Sequence, residues 1–191
     1  MNQPQRSRAK ARHYVRSADL QVGRRAPQLR TAVRGDAKKI HLLIQQNQQA
    51  GHLLPRQLSE LTSRIDRFVV AVDGRGSIVA CGELAPLSSA IAEIRSLVVS
   101  EQRRGQGLGR RIVDELRNRA RAAGYDDLCV FAHQPAYFAH MGFSIVPHTW
   151  LPEKIMADCR TCPLFRRCEQ FAMVTDLDTI PEVQPTAQLH V

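Results

Sequence analysis

The chain has 191 residues, of which 43% are hydrophobic and 24% charged, and these values are ordinary for one globular domain with tails. We find no apolar run long enough to span a bilayer and no secretory h-region near the N-terminus, so we expect neither a membrane protein nor a secreted one. The net charge of +9 raises the question of nucleic-acid binding, whereas the five cysteines, an odd number, are typical of reduced thiols or metal ligands in a cytoplasmic protein.

Most of the positive charge belongs to the beginning of the chain. Residues 1–27 contain seven arginines and lysines against one acidic residue, Asp19, which is +6 of the net +9. We predict a disordered basic extension there, with a nucleic-acid-binding arm and an organelle transit peptide as alternatives. Residues 177–191 are predicted to form a flexible C-terminal tail, which leaves residues 28–176 as the folded domain.

Strands and helices alternate between the two tails. In chain order the predicted elements are a strand at 29–33, a helix at 34–51, a helix at 53–65, a hairpin at 67–84, a strand at 92–100, a helix at 109–124, a strand at 126–132, and a short helix and a last strand within 136–147. Asp36 is placed to cap the first helix, and Asp73-Gly74 marks the hairpin turn. This order predicts an α/β fold with a mixed sheet and helices on both faces.

Three glycines at alternate positions, Gly105, Gly107 and Gly109, join a predicted strand to the start of a predicted helix. Glycine lets a ligand approach the backbone, and the N–H groups and dipole of a helix start attract a phosphate. The spacing matches neither a P-loop nor the dinucleotide fingerprint. The glycines alone therefore leave a tight turn without a ligand as an alternative.

The segment from Arg104 to Gly109 resembles the acyl-CoA signature R/Q-x-x-G-x-G/A of the GCN5-related N-acetyltransferases, the GNAT superfamily. The preceding "EIRSLVVS" and the later "AYFAHMGF" also follow the order of that fold. The resemblance implies a single GNAT domain with a mostly antiparallel twisted sheet and with acetyl-CoA as acetyl donor. The residues it assigns to acetyl-CoA are Leu97 and Val99 through their backbone, and Arg104, Gly105, Gln106, Gly107, Gly109 and Arg110 at the loop.

Three further stretches, "HLLPR", "AEIRSLVV" and "LPEKIMADC", are similar to N-acetylglutamate synthases, and most to the short bacterial form that lacks an amino-acid kinase domain. This resemblance implies acetylation of the α-amine of L-glutamate, the first step of arginine biosynthesis. A different small amine or a protein N-terminus is the alternative acceptor. A non-catalytic module that binds metal or nucleic acid is a third interpretation, which the intact loop disfavours. A homodimer is left open.

The same resemblance implies roles for Glu93, Arg56 and Lys154. An ammonium must lose a proton before it attacks a thioester, and Glu93 stands at the family's glutamate position for that base, with a salt bridge to Arg95 or a lysine as the structural alternative. Arg56 matches the arginine that binds the α-carboxylate. Lys154 is the candidate for the side-chain carboxylate, although the relatives carry arginine one position later, where this chain has Ile155.

The source of the proton for the departing CoA thiolate stays open. Many family members carry tyrosine four residues before the Gly-Phe pair, where this chain has Phe138, and we expect the neighbouring Tyr137 to face elsewhere. Some glutamate synthases use a hydroxyl residue at the position of Ala132. Tyr137, His133 and water are the candidates that remain.

Three cysteines, Cys159, Cys162 and Cys168, form a C-x2-C-x5-C cluster late in the chain. Three thiolates with His148 or a distant group as a fourth ligand are one arrangement that would hold zinc. The alternative is a group of reduced thiols near the acceptor pocket, and we assign no metal ligand.

Overall fold

A seven-stranded sheet organises the chain in the computed structural model, which describes residues 26–48 and 55–178. The strands are β1 (Gln28–Thr31), β2 (Phe68–Val72), β3 (Ile78–Pro86), β4 (Ile91–Val99), β5 (Asp127–Ala132), β6 (Ser144–Val146) and β7 (Phe171–Asp176). The helices are α1 (Ala37–Gln48), α2 (Leu58–Ser63), α3 (Leu108–Ala122), α4 (Pro135–Ala139) and α5 (Pro152–Ala157). The strand order is β1-β2-β3-β4-β5-β7-β6, and every pair is antiparallel except β4 and β5. The predicted mixed, mostly antiparallel α/β fold is confirmed.

The side chains of β2 show why helices cover both faces of the sheet. Successive side chains of a strand point to opposite faces, and Phe68, Val69, Val70 and Ala71 are all fully buried. Phe68 and Val70 pack in one core with residues of α1 and α2. Val69 and Ala71 pack in a second core with residues of α3 and α4. The prediction of helices on both faces is confirmed, and no helix in the described part is long and apolar enough to cross a bilayer.

The second helix is shorter than predicted. It begins at Leu58, because Gln57 is extended at φ −78° and ψ 139°. It ends where Arg64 leaves helical geometry at φ −119° and ψ 22°. The predicted end of the first helix at Gly51 and the predicted start of the second at 53–54 lie outside the described residues.

The last third of the chain differs most from the prediction. The strand expected within 136–147 is β6, three residues at the sheet edge, and it is not the last strand. The prediction omitted α5 and also β7, which lies between β5 and β6. β7 pairs with residues of β5 that precede it by roughly 40 to 50 positions. No local turn signal marks a strand whose partner is so distant.

The folded domain extends slightly beyond its predicted end. Leu177 is buried, its N–H donates to the Asp126 carbonyl at 2.8 Å, and its carbonyl accepts from Arg121 at 2.6 Å. Residues 1–25 of the predicted extension and 179–191 of the predicted tail lie outside the described residues. The division at 27/28 stays a prediction.

The parallel pair β4 and β5 opens part of the way along its length. The two strands pair only where Ile91–Ile94 meets Asp127–Val130. Beyond that point β4 continues beside β3 and β5 continues beside β7. The strands therefore separate and leave a V-shaped gap along one edge of β4.

Candidate active site

The gap between β4 and β5 widens into a cleft of about 1380 Å³. The predicted residues that line it are Arg56, Glu93, Leu97, Val99, Arg104, Gly105, Gly107, Gly109, Arg110, Tyr137 and Lys154. Gln106 points elsewhere, and its side-chain nitrogen donates to the Gln102 carbonyl at 3.2 Å. The fold thus brings the residues predicted from three separate motifs to one cavity.

The open edge of β4 carries Leu97 and Val99. Within the described residues, this stretch pairs with β3, with Val98 opposite Cys81 and Val99 opposite Ala80. The register shifts between Cys81 and Glu83, and Ser96 has a left-handed φ of 49°, which is rare outside glycine. The bulge bends the strand at the point where the gap opens. An extended amide chain can pair with the backbone groups on this edge.

The glycine loop presents the start of α3 with its backbone N–H groups open. Gly105 and Gly107 both have φ of 73°, in the left-handed region that glycine adopts without strain. Gly107 is the N-cap residue and brings no side-chain cap, and the N–H of Arg111 donates to its carbonyl. The N–H groups of the first turn are therefore available to a ligand, and the helix dipole adds positive potential. A phosphate or pyrophosphate suits this position.

Two arginines flank the loop. Arg104 donates to the Asn47 side-chain oxygen at 2.7 Å and to the Val99 carbonyl at 3.4 Å, so it links the loop to α1 and to the edge of β4. Arg110 has a side chain that is 64% exposed, and it lies 3.9 Å from the Asp114 carboxylate. Both guanidinium groups add positive charge where the helix start faces the cleft.

Tyr137 faces the cleft, so the expectation that it faces elsewhere is wrong. A Cβ added at Gly109 would lie 2.3 Å from the Tyr137 hydroxyl oxygen, which places that hydroxyl at the first turn of α3. The same Cβ would lie 3.6 Å from the Val99 side chain. Val99 follows Glu93 by six residues on β4, and this separation corresponds to about 20 Å along an extended strand. Burial raises the pKa of the Tyr137 phenol, and the charge of Asp114 adds to the effect. Phe138 is buried in the core against Phe143.

Glu93 lies at the centre of an ionic network. It is 3% exposed, and its two carboxylate oxygens accept from Lys154 Nζ at 2.6 and 2.9 Å. Its Oε2 also accepts from Arg95 Nε at 2.7 Å. Asp158 completes the network, because its Oδ2 accepts from Arg95 at 2.5 Å and from Lys154 at 2.8 Å. The salt bridges considered as the structural alternative for Glu93 are present. They leave one acceptor position on Oε1, since each carboxylate oxygen has two.

Arg56 lies in a second network on the α2 side of the cleft. Its guanidinium donates to Glu83 at 2.8 Å, to Glu60 at 3.1 Å and to the Ser96 hydroxyl at 2.9 Å. Glu83 is fully buried, and its other oxygen has no hydrogen-bond partner among the described residues. Burial acts to lower the pKa of Arg56, but the charges of Glu83 and Glu60 outweigh it and raise that pKa. The network fixes this cation at the bulge of β4.

The cysteine segment lines the cleft, but the described residues contain no group of three or more His, Cys, Asp and Glu side chains placed to hold a metal ion. Cys159, Cys162 and Cys168 are free thiols. Burial raises the pKa of the Cys159 thiol, although the charge of Lys154 acts in the opposite direction. The zinc interpretation of these cysteines and His148 has no support in the structure.

From the sequence, Arg95 was named only as a salt-bridge partner of Glu93, and the acidic partners Glu60, Glu83 and Asp158 were not predicted. Arg95 lies two residues from both Glu93 and Leu97 on β4. The two-residue period of a strand places all three on one face, and this period was the available signal for Arg95. A second signal was the single charged residue, Glu83, in the apolar run of β3. Asp158 follows Lys154 by four positions within a stretch already singled out as a motif.

Comparisons with known sequences agree with this geometry. The model of the acetyltransferase (GNAT) domain matches residues 64–145. An uncharacterized N-acetyltransferase of Chlorobaculum tepidum is 31% identical over 149 residues, which are 78% of this chain and 96% of that protein. An amino-acid acetyltransferase of Mycobacterium tuberculosis is 32% identical over 139 residues, which are 71% of this chain and 79% of that protein.

Solved structures show the same similarity. The N-acetylglutamate synthase of Neisseria gonorrhoeae, complexed with coenzyme A and N-acetyl-glutamate, has a TM-score of 0.72 and 27% identity, covering 80% of this chain and 35% of that one. A Mycobacterium tuberculosis protein in complex with CoA has a TM-score of 0.69 and 25% identity, covering 78% of this chain and 99% of that one. With the split sheet, the open strand edge and the glycine loop in place, the chain belongs to the GNAT family of acetyl-CoA-dependent N-acetyltransferases.

Proposed function

We propose that this GNAT enzyme acetylates the α-amine of L-glutamate and so serves the first step of arginine biosynthesis in the cytoplasm. The observation that carries the proposal is the grouping of three cationic side chains, Arg56, Arg95 and Lys154, in the cleft beside Glu93. An acceptor with two carboxylates needs cations of this kind, and arginine binds a carboxylate through two parallel hydrogen bonds. The amino-acid acetyltransferase and N-acetylglutamate synthase relatives support the same acceptor class.

The two networks support the following roles for the acceptor site. Arg56 binds the α-carboxylate, which takes the place of Glu60; Glu60 keeps Arg64 as a partner at 3.0 Å. Lys154 contributes to binding of the side-chain carboxylate. Glu93 removes a proton from the ammonium, directly or through one water, at the acceptor position left on Oε1. The amine then attacks the thioester carbon.

The open edge of β4 and the glycine loop support the following roles for the acetyl-CoA site. The pantetheine arm pairs with the backbone of Leu97 and Val99, and the pyrophosphate lies on the N–H groups of the loop, from Gly105 to Arg110. The candidate proton sources for the CoA thiolate are Tyr137, His133 and water, and Tyr137→Phe tests Tyr137. A loss of kcat in this variant would favour Tyr137 as the proton donor. A loss of acetyl-CoA affinity would instead favour Tyr137 as a contact of the cofactor, with His133 or water as the proton donor.

A thiol-release assay with acetyl-CoA and a panel of acceptors tests the proposal. L-Glutamate should outperform its decarboxylated analogue, which keeps the amine but has no α-carboxylate. Arg56→Lys should raise KM and lower kcat for glutamate and leave acetyl-CoA affinity near wild type, because a single ammonium cannot reproduce the bidentate grip. Arg64→Lys is the matched control, since Arg64 also pairs with Glu60 but does not line the cleft. The proposal fails if the analogue is acetylated as well as glutamate.

One observation favours a second acceptor class, a different small amine or a protein N-terminus. Four carboxylates surround the three cations, on Glu60, Glu83, Glu93 and Asp158. A cationic acceptor would be attracted by that balance of charge. Polyamines and short peptides therefore belong in the same panel, and preferred acetylation of either would replace glutamate as the acceptor. The homodimer stays a prediction that light scattering tests.

A further inference from the structure

Two cations in the cleft converge on one carboxylate that the chain itself supplies. Arg95 Nη2 and Lys154 Nζ approach the same atom, Asp158 Oδ2, at 2.5 and 2.8 Å. On their other side both cations contact Glu93, whose side chain is 4% exposed. The Asp158 side chain is 39% exposed and follows the end of α5 at the cleft wall. A buried carboxylate thus anchors the pair, and an accessible one occupies its open side.

We propose that Arg95 and Lys154 together form the subsite for the second carboxylate of the acceptor, and that Asp158 fills this subsite until the acceptor displaces it. The inference rests on the proposed function and deepens it, since it makes Arg95 a specificity-determining residue. Arg95 supplies the planar guanidinium that a lysine alone lacks at this position. The acceptor class is therefore a dicarboxylic amino acid.

Asp158 is suited to be displaced because its replacement costs little. Burial acts to raise the pKa of the Asp158 carboxyl, but the hydrogen bonds and charges of Lys154 and Arg95 outweigh it and lower that pKa. Asp158 is thus an anion at neutral pH, and an incoming carboxylate renews the same charge balance and the same hydrogen bonds. Its backbone, at φ −124° and ψ −44°, is outside the helix, so the side chain can move without unwinding α5.

The Arg56 network repeats this arrangement. Arg56 contacts the fully buried Glu83 on one side and Glu60, whose side chain is 32% exposed, on the other. Each of the two networks therefore has one buried carboxylate anchor and one accessible carboxylate. The two accessible carboxylates correspond in number and charge to the two carboxylates of an acidic amino acid. This correspondence favours displacement over binding of the acceptor ammonium by Asp158.

The ratio of kcat/KM for L-glutamate to kcat/KM for L-glutamine tests the inference, because the two acceptors differ only in the second carboxylate. Asp158→Asn should raise this ratio about three- to tenfold, because the two partly screened ion pairs of Asp158 no longer compete with the acceptor carboxylate for Arg95 and Lys154. Arg95→Gln should lower it by about tenfold or more. Glu169→Gln is the matched control, since it removes one exposed negative charge from the same segment outside the network, and should leave the ratio unchanged.

The outcomes separate the inference from the function beneath it. If wild-type enzyme acetylates neither amino acid, the proposed function fails and the inference fails with it. If glutamate is acetylated but the ratio in Asp158→Asn stays at the wild-type value, falls, or moves as in Glu169→Gln, only the inference is overturned. A fall would show that Asp158 contacts the acceptor ammonium. Asp158→Ser, which keeps a small polar side chain, serves as the second variant should Asp158→Asn melt below the assay temperature.

Discussion

Gly109 and Tyr137 lie so close that one oxygen atom decides whether a methyl group fits between α3 and α4. In Gly109→Ala the new Cβ would lie 2.3 Å from the Tyr137 hydroxyl oxygen and 3.4 Å from the ring carbon that carries it. Gly109 is not among the residues with positive φ, so alanine brings no backbone strain. The collision with the hydroxyl is therefore the physical effect that the substitution measures.

Two opposing contributions determine the change that Gly109→Ala makes in the free energy of unfolding. Overpacking costs about 1–3 kcal/mol, and the low end applies because Tyr137 is 42% exposed and its ring can turn outward. Alanine in place of glycine gains about 1 kcal/mol of helix propensity. In the wild-type background we expect a net loss of about 0–2 kcal/mol. In Tyr137→Phe the nearest atom is the ring carbon at 3.4 Å, so the methyl group fits and Gly109→Ala should be neutral or stabilising.

Urea unfolding of the four proteins in this double-mutant cycle measures the coupling, which we expect to be about 1–3 kcal/mol. Calorimetry with acetyl-CoA should show that Gly109→Ala weakens binding more in the wild-type background than in the Tyr137→Phe background, because the displaced ring lines the cleft. Equal stability effects of Gly109→Ala in both backgrounds would refute the placement of the hydroxyl at the start of α3.

Four further predictions concern the cleft and the domain boundaries. Glu93→Gln should lower kcat about 100-fold or more; wild-type turnover would exclude Glu93 as the base. Gly107→Val should weaken acetyl-CoA binding about tenfold or more by calorimetry, because it adds a branched side chain at a φ of 73°. The Asp36 carboxylate accepts a hydrogen bond from Arg30 at 2.6 Å, and this contact lowers the pKa of Asp36 below the ordinary 3.8. Above pH 3.8, Asp36→Asn should therefore lower the free energy of unfolding in urea by about 1–2 kcal/mol. The difference from wild type should shrink as the pH falls through the lowered pKa of Asp36. Deletion of residues 2–26 should leave the melting temperature and activity nearly unchanged, and a large loss of either would place that segment in the domain.

The sequence by itself determined the features that depend on neighbouring residues. The hairpin is an example, because the Asp73 side chain accepts the N–H groups of Arg75 and Ser77 at 2.9 Å and closes the turn locally. The glycine loop is another, since the left-handed backbone at Gly105 and Gly107 follows from the residue type. Periodicity within single segments likewise predicted α3 and the buried strands.

Only the tertiary structure decided which charges meet and where the last strand lies. Lys154 and Arg95 reach Glu93 and Asp158 across 61 and 63 positions of sequence, and Arg56 reaches Glu83 across 27. β7 pairs with β5 over a comparable separation, and the Tyr137 hydroxyl is placed by the packing of α4 beside α3. Short-range sequence patterns carry no information on such pairs, because these side chains come within a few ångströms of each other only once the whole sheet has assembled.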